Sequence, residues 1–302
     1  MAVKGKKAAK LTLGPVLFNW APEKWRDFHF RMADEAPVDI VYIGEVVCSK
    51  RQPFFAGVLP DVVERLKKAG KSVVLSSLAM VMNGREAKSV RELAANEDLP
   101  VEVNDVSALA ALDGRGHVIG PYINVYNEDT LAHLAAGGAR RLCLAPEIPF
   151  AAAKILAAAG KKCKMDIEIQ VFGRMPLALS ARCYHARLHK LSKDSCQFVC
   201  ANDPDGLSLK TLDDLGFLAV NGIMTMSDTY LDLSEKMPEM ETAGIRHFRL
   251  SPQDCDMVKV AGLYRRAANG DSVAGELKEL LPAVRFSDGY YAGAAGYKRL
   301  PA

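Results

Sequence analysis

V-D-I-V-Y-I-G-E-V-V, at Val38–Val47, is the stretch of this 302-residue chain that decides its fold. The run is mostly apolar and is interrupted only by Asp39, Gly44 and Glu45. Such a run is typical of a parallel β-strand that is covered on both faces, because neither face then needs polar side chains for water. Val38–Val47 is therefore predicted to be a strand of a parallel sheet.

The same alternation of strand and helix continues on both sides of that run. Eight strand candidates follow one another at spacings of about 16 to 34 residues, except for a last interval of about 80 residues. Such a series predicts an α/β fold, a (β/α)8 TIM-like barrel with an insertion after the seventh strand, and a doubly wound open sheet is the alternative. The predicted strands are Leu11–Leu17, Val38–Val47, Ser72–Ser77, Val101–Asn104, His117–Ile123, Arg140–Leu144, Met165–Phe172 and Ile245–Leu250. The predicted helices are Pro22–Ala36, Pro60–Ala69, Ser89–Asn96, Asp105–Leu112, Asn127–Ala136, Ile148–Ala159 ended by Gly160, and a helix within Asp228–Ala243.

Composition limits the class of protein. Hydrophobic residues make up 49% and charged residues 25%, which is ordinary for a globular protein, and the formal charge of +3 is too small to indicate a nucleic-acid partner. The seven cysteines are scattered and odd in number, so we do not expect a secreted disulfide framework. The expected compartment is the reducing cytoplasm. No run approaches the roughly eighteen apolar residues of a transmembrane helix.

The predicted organisation is a basic tail at 1–10 and a single domain at 11–302, with the insertion at 174–227. The basic start followed by apolar residues superficially resembles a signal peptide. Its apolar part is broken by Gly14 and Pro15 and lacks a small-residue cleavage site, so we expect a solvated tail leading into the first strand.

Three cysteines stand close together in the predicted insertion. Cys183, Cys196 and Cys200 are spaced C-x12-C-x3-C in a polar, basic segment, where thiols are expected to be accessible. Three thiolates leave a four-coordinate site one ligand short, and Cys48, in G-E-V-V-C-S-K-R directly after the predicted second strand, is the best fourth candidate. In a barrel the loops at the carboxyl ends of strands share one face, so all four thiols are expected there.

Four cysteine ligands would bind either an iron–sulfur cluster or structural zinc. Zinc sites usually contain two short C-x2–4-C pairs, so one pair with two isolated thiols favours a cluster, while zinc and unrelated free thiols stay open. His185 and His189 could replace a thiolate in a mixed site or be solvated loop histidines. Cations beside the thiols would lower the pKa of the thiols and offset the negative charge of a cluster. The candidate cations are Lys50, Arg51, Arg182 and Arg187. The cysteines expected to play no part are Cys143, Cys163 and Cys255.

Candidate catalytic residues are fewer. Glu45 and Glu168 lie in apolar strand runs, where a carboxylate must be either paired inside the barrel or part of a site. Arg249, at the end of the last strand, could hold a substrate carboxylate or form a structural salt bridge. The sequence has no recognisable Ser–His–Asp, H-E-x-x-H, G-x-G-x-x-G or P-loop pattern.

With these motifs the chain resembles the UbiV branch of the collagenase-like peptidase family of unassigned catalytic type. The most specific matches are the three cysteine segments, G-E-V-V-C-S-K-R, S-A-R-C-Y-H-A-R and K-D-S-C-Q-F-V-C. Other matching segments extend the resemblance from about Leu11 to Tyr290, and they include I-N-V-Y-N, N-G-I-M-T-M-S and R-L-S-P-Q.

The resemblance implies a [4Fe-4S] cluster on four cysteines, which correspond to Cys48, Cys183, Cys196 and Cys200. It also implies a UbiU-type partner and oxygen-independent hydroxylation of the aromatic ring of a prenylated quinone precursor. Prephenate would be the oxygen donor by analogy, and a lipid-carrier-type accessory protein would present the substrate. The alternatives are a cluster- or zinc-stabilised scaffold subunit without chemistry of its own, or a relative that hydroxylates RNA bases. Peptidase activity is not expected.

Overall fold

The parallel strands of the computed structural model, which describes residues 8–300, form a closed ring. The strands are β1 (Lys10–Leu13), β2 (Ile40–Ile43), β3 (Ser72–Ser76), β4 (Val101–Val103), β5 (His117–Ile119), β6 (Ala139–Cys143), β7 (Asp166–Leu179), β8 (Leu207–Lys210), β9 (Gly216–Asn221), β10 (Met224–Asp232), β11 (His247–Leu250) and β12 (Phe286–Ser287). The helices are α1 (Pro22–Asp34), α2 (Gln52–Ala56), α3 (Leu59–Lys68), α4 (Gly84–Ala94), α5 (Leu109–Leu112), α6 (Glu128–Ala136), α7 (Phe150–Cys163), α8 (Tyr184–Leu188), α9 (Met237–Thr242), α10 (Met257–Ala268) and α11 (Ala274–Leu280). Short 3₁₀ turns cover Ser49–Arg51, Val106–Ala108, Val199–Asn202 and Ser234–Lys236.

Eight strands pair in parallel to close the barrel. β1 to β7 lie side by side in chain order, and β11 pairs with both β1 and β7. All four residues of β2 are buried, as expected for a strand covered on both sides. The predicted (β/α)8 barrel is thus confirmed, and the open-sheet alternative is wrong because β11 leaves no free edge between β1 and β7.

The insertion is built on an extension of one barrel strand. β7 continues past the barrel to Leu179, and this extension pairs antiparallel with β10, which in turn pairs with β9, and β9 with β8. The seventh strand is therefore longer than the predicted Met165–Phe172. The helix predicted within Asp228–Ala243 is α9, and the residues of that range up to Asp232 belong to β10.

Several predicted boundaries also move. β1 stops at Leu13 and not at Leu17, just before Gly14 and Pro15, since proline has no N–H for the ladder. α7 runs on to Cys163 although the prediction ended it at Gly160. Gly160 is instead a packing position, because a Cβ there would lie 2.6 Å from the carbonyl oxygen of Met165.

Most of the predicted basic tail at 1–10 lies outside the residues that the structure describes. Residues 1–7 lie outside the described residues, and Lys10 is already the first residue of β1, where its Nζ contacts Asp39 Oδ1 at 2.9 Å. Within residues 8–300 we find no helix with the length and apolarity required to cross a membrane.

Candidate metal centre

The four cysteines of the predicted ligand set line one cavity. It is a small space of about 20 Å³ between the loop that follows β2 and the insertion. Cys48 lies on one side of this cavity, and the insertion cysteines Cys183, Cys196 and Cys200 lie on the other. The structure therefore brings together residues that stand as far apart as positions 48 and 200 in the sequence.

Glu45 shapes the turn that presents Cys48. After β2, Glu45 Oε1 accepts hydrogen bonds from the backbone N–H of Val47 and of Cys48, both at 2.8 Å. Burial raises the pKa of Glu45, although Arg51 and these two hydrogen bonds act in the opposite direction. The carboxylate suggested by the sequence as a catalytic candidate thus lies next to the cysteine cavity and holds the backbone of one of its cysteines.

The insertion cysteines are held by local backbone and by one side chain. Cys183 stands at the N-terminus of α8, where its Sγ accepts a weak hydrogen bond from the N–H of Ala186 at 3.4 Å. Cys200 is buried in the 3₁₀ turn Val199–Asn202, and Asn19 Nδ2 donates to its Sγ at 3.4 Å. Hydrogen bonds to sulfur are one means by which proteins tune metal–thiolate sites.

The backbone between the last two cysteines is strained. Gln197 and Phe198 both adopt left-handed conformations, with φ of 49° and 54°. For residues with a Cβ this conformation costs about 1–2 kcal/mol each relative to the right-handed region. These two residues lie in the segment that sets how Cys196 and Cys200 face the cavity, and strained backbone of this kind often occurs at functional sites.

Arg51 is the buried cation of the cavity, and the half-buried Lys193 also lines it. Arg51 is 2% exposed, its Nη1 donates to Leu17 O at 2.8 Å, and its Nη2 donates to Asn221 Oδ1 at 3.0 Å. The turn between β9 and β10 approaches so closely that a Cβ on Gly222, which has φ of +62°, would lie 2.8 Å from Arg51 Nη2. Burial raises the pKa of Cys48, and the positive charge of Arg51 opposes that rise.

Sequence reasoning named Arg51 as one of several loop cations but did not single it out. Arg182 and Arg187 are in fact exposed, whereas Lys50 is half-buried and donates to Lys193 O at 2.7 Å. Asn19 and Asn221 were missed altogether, because single amides in loops carry no pattern. The signal for Asn221 was the Asn-Gly pair, which is typical of a tight hairpin turn.

The spacing of the thiols bears on what could fit between them. Four sulfurs at 2.3 Å from one tetrahedral zinc ion lie about 3.8 Å apart. Across residues 8–300, the one set of three or more possible ligand atoms within 4.8 Å of one another is His185, His189 and Asp203. No three cysteine sulfurs in this part of the chain are that close, so in this structure the thiols do not form a ready-made site for a single zinc ion.

The cavity also contains a buried histidine. His185 lines the cavity and is 1% exposed. Its Nε2 lies 2.8 Å from Asp203 Oδ2, and its buried Nδ1 has no hydrogen-bond partner among the described residues. Because a carboxylate only accepts hydrogen bonds, Nε2 carries the proton, and Nδ1 of the neutral ring is left as an acceptor. Burial lowers the pKa of His185, which favours this neutral form.

The other two catalytic candidates lie inside the barrel. Arg249 Nε donates to Glu168 Oε1 at 2.8 Å, and Arg249 Nη2 lies 2.6 Å from Glu102 Oε1. Burial would raise the pKa of Glu168, but Arg249 and Arg141 outweigh it and hold that pKa at about 2. Glu168 and Arg249 therefore form a salt bridge with each other, which is the structural alternative that the sequence left open for both residues.

The remaining cysteines do not line the cavity. Cys143 is fully buried in β6, where burial raises the pKa of its thiol. Burial likewise raises the pKa of Cys255 to about 12, and Cys163 ends α7 on the outer side of the barrel wall. These three thiols serve as natural controls for the four in the cavity.

Comparison with known proteins matches the chain to one family and to several solved structures of low sequence identity. The profile described as Peptidase family U32 matches residues 25–297. An uncharacterized B. cereus protein is similar at 8% identity and a TM-score of 0.41, and the match covers 87% of this chain and 65% of that one, so this chain spans just under two thirds of that protein's length. Class V chitinase from Nicotiana tobaccum is similar at 10% identity and a TM-score of 0.40, covering 87% and 98% of the two chains. The Bacillus megaterium spore cortex-lytic enzyme SleL is similar at 10% identity and a TM-score of 0.39, covering 82% and 71%.

Proposed function

The chain belongs to peptidase family U32, and we propose that within this family it is a UbiV-type protein, the iron–sulfur subunit of an oxygen-independent hydroxylase. In this proposal a [4Fe-4S] cluster is bound by the cavity cysteines, which are Cys48, Cys183, Cys196 and Cys200. The subunit acts in anaerobic ubiquinone biosynthesis on the aromatic ring of a prenylated quinone precursor. It works with a UbiU-type partner, with a lipid-carrier-type accessory protein, and with prephenate as oxygen donor.

The observation that carries the proposal is the convergence of four thiols and one buried guanidinium on a single cavity. Three other cysteines of the chain lie elsewhere, so the convergence is selective. A four-thiolate cluster is anionic, and Arg51 supplies a buried positive charge beside it, which favours the ionised thiols. The spacing of the sulfurs, which is wider than a single zinc ion requires, supports the same proposal.

When bound, the cluster would supply one-electron chemistry or a Lewis-acidic iron. The chain's own residues do the positioning. Glu45 fixes the turn before Cys48, Asn19 donates to the sulfur of Cys200, and Arg51 ties three loops together through Leu17 and Asn221. Such outer contacts orient ligands and tune the metal group that they hold.

An apolar groove beside the cavity supports a hydrophobic substrate. It has a volume of about 420 Å³, and Asn19, which donates to Cys200, lies in its wall. Phe54 and Phe198 form an edge-to-face pair on its rim with ring centroids 4.7 Å apart, and Trp20 lies along it. An aromatic groove that reaches a residue in contact with the thiols suits a prenylated aromatic ring.

The first test is the iron and acid-labile sulfide content of the full chain, purified without oxygen together with a UbiU-type partner. We expect about four iron and about four sulfide per chain with thiolate-to-iron absorbance. Serine substitutions at each of the four cavity cysteines should remove the iron. Cys163→Ser and Cys143→Ala are the matched controls and should retain it.

Stoichiometric zinc without iron, or equal iron loss in the control variants, would contradict the proposal. The hydroxylase role is tested separately, by anaerobic conversion of a prenylated precursor with prephenate and partner present. Cys196→Ala should bind the partner normally and lose turnover. If Cys196→Ala instead fails to form the complex, the subunit is a cluster-stabilised scaffold and the hydroxylase assignment is wrong.

A further inference from the structure

A second set of metal-ligand side chains lies on the outer side of the cysteine cavity. His185 and His189 are four residues apart at α8, so their rings fall on one side, stacked with centroids 5.8 Å apart and planes 9° apart. Asp203, which follows the turn Val199–Asn202, brings a carboxylate to the same place. The ligand atoms of these three residues all lie within 4.8 Å of one another.

Two imidazoles and one carboxylate form a recognised donor set. This combination binds divalent transition metals and leaves coordination positions open for other molecules. The contact between His185 Nε2 and Asp203 Oδ2 measures 2.8 Å. Two ligands in adjacent positions, each about 2.1 Å from one ion, would be about 3 Å apart, so a small shift of these side chains would admit an ion.

We propose that His185, His189 and Asp203 bind one divalent transition-metal ion at the outer wall of the cavity, separately from the cysteines. The site uses nitrogen and oxygen donors, whereas the neighbouring one uses only sulfur, so the two discriminate between metals by ligand softness. This inference does not depend on the identity of the group bound by the cysteines.

A plain hydrogen bond is the competing explanation for part of this geometry. His185 and Asp203 alone could anchor α8 to the segment after Cys200, and such an anchor does not need a second imidazole. His189 is exposed at the surface, so a purely structural pair predicts no effect when its ring is removed. His189→Ala therefore separates the two explanations, and because the side chain is exposed it should leave the fold intact.

The test is a cobalt titration of the full chain, purified anaerobically and freed of loosely held metal with a chelator. We expect one Co²⁺ per chain with the weak visible bands of nitrogen and oxygen ligation and no thiolate-to-cobalt charge transfer. His189→Ala and Asp203→Asn should weaken binding by more than the roughly 10 to 100-fold typical of losing an outer-shell partner. His133→Ala, which removes an exposed histidine on α6, is the control and should bind as the parent does.

Two results would overturn the inference. One is a Co²⁺ affinity that is unchanged in His189→Ala, with circular dichroism showing the same fold. The other is a cobalt spectrum dominated by thiolate charge transfer whose intensity is the same in His189→Ala and in the parent, which would assign all binding to cysteines. Iron and sulfide content measured on the same His189→Ala sample should match the parent, so failure here is distinguishable from failure of the cluster proposal.

Discussion

The barrel interior and the cysteine cavity both bury charge, but they balance it differently. Inside the barrel the guanidinium of Arg249 lies between two carboxylates, 2.8 Å from Glu168 and 2.6 Å from Glu102. In the cavity the guanidinium of Arg51 donates to a carbonyl and an amide oxygen, and its charged or ionisable neighbours are one carboxylate, Glu45, and thiols. A buried ion pair that the protein completes by itself is structural. The cavity cation is shared between one carboxylate and several thiols, and we propose that these thiols bind a metal group.

The largest effect is expected from breaking the barrel network. Arg249→Met would leave Glu102 buried without its cation and Glu168 with only Arg141, 3.9 Å away, which costs about 3–5 kcal/mol of unfolding free energy. Denaturant unfolding measures it. Arg31→Met is the control, because Arg31 and Glu35 are 51% and 49% exposed and such pairs contribute at most about 1 kcal/mol.

The same network should make stability depend on acid. The pKa of Glu168 is lowered from an ordinary 4.5 to about 2, so its contribution is present above the unfolded value and is lost as pH falls from about 4.5 to 2. The shift corresponds to about 3 kcal/mol. Unfolding free energies at pH 5 and pH 2.5 should show this loss in the parent and in exposed Glu35→Gln, but not in Glu168→Gln. Equal pH dependence in all three proteins would mean that Glu168 is not held ionised by Arg249.

The smallest effect is expected at the cavity. Asn19→Ala removes the donor to Cys200 Sγ and should leave the fold and the iron content intact. A hydrogen bond worth about 1 kcal/mol in favour of the more negative state corresponds to roughly 40 mV, so the reduction potential should fall by about that amount. Potentiometric titration followed by electron paramagnetic resonance measures it. Ser107→Ala, far from the cavity on the 3₁₀ turn Val106–Ala108, should leave the potential unchanged.

The barrel was predictable because its strands are covered on both faces, and runs such as Val38–Val47 show this in the sequence alone. The extension of β7 was not, because Gly173 and Pro176 in its second half are typical strand breakers. They are tolerated where the strand has left the barrel and turns along β10.

Only those residues of the candidate site whose side chains are distinctive in a sequence could be predicted. Thiols stand out in any sequence, so the four cavity cysteines were named in advance. Arg51 did not stand out, because its burial depends on a turn at Asn221 that lies 170 positions later. Asp203 was missed for a similar reason, since only the folded insertion brings it against a histidine of α8.

The position of β11 has a consequence for how the protein is made. The ring of strands can close only when residues His247–Leu250 have been synthesised, because β11 joins β1 to β7. All four cavity cysteines precede β11 in the sequence, and Cys48 precedes Cys200 by 152 positions. The ligand set of the proposed cluster is therefore complete only when about two thirds of the chain has been synthesised, before the barrel can close.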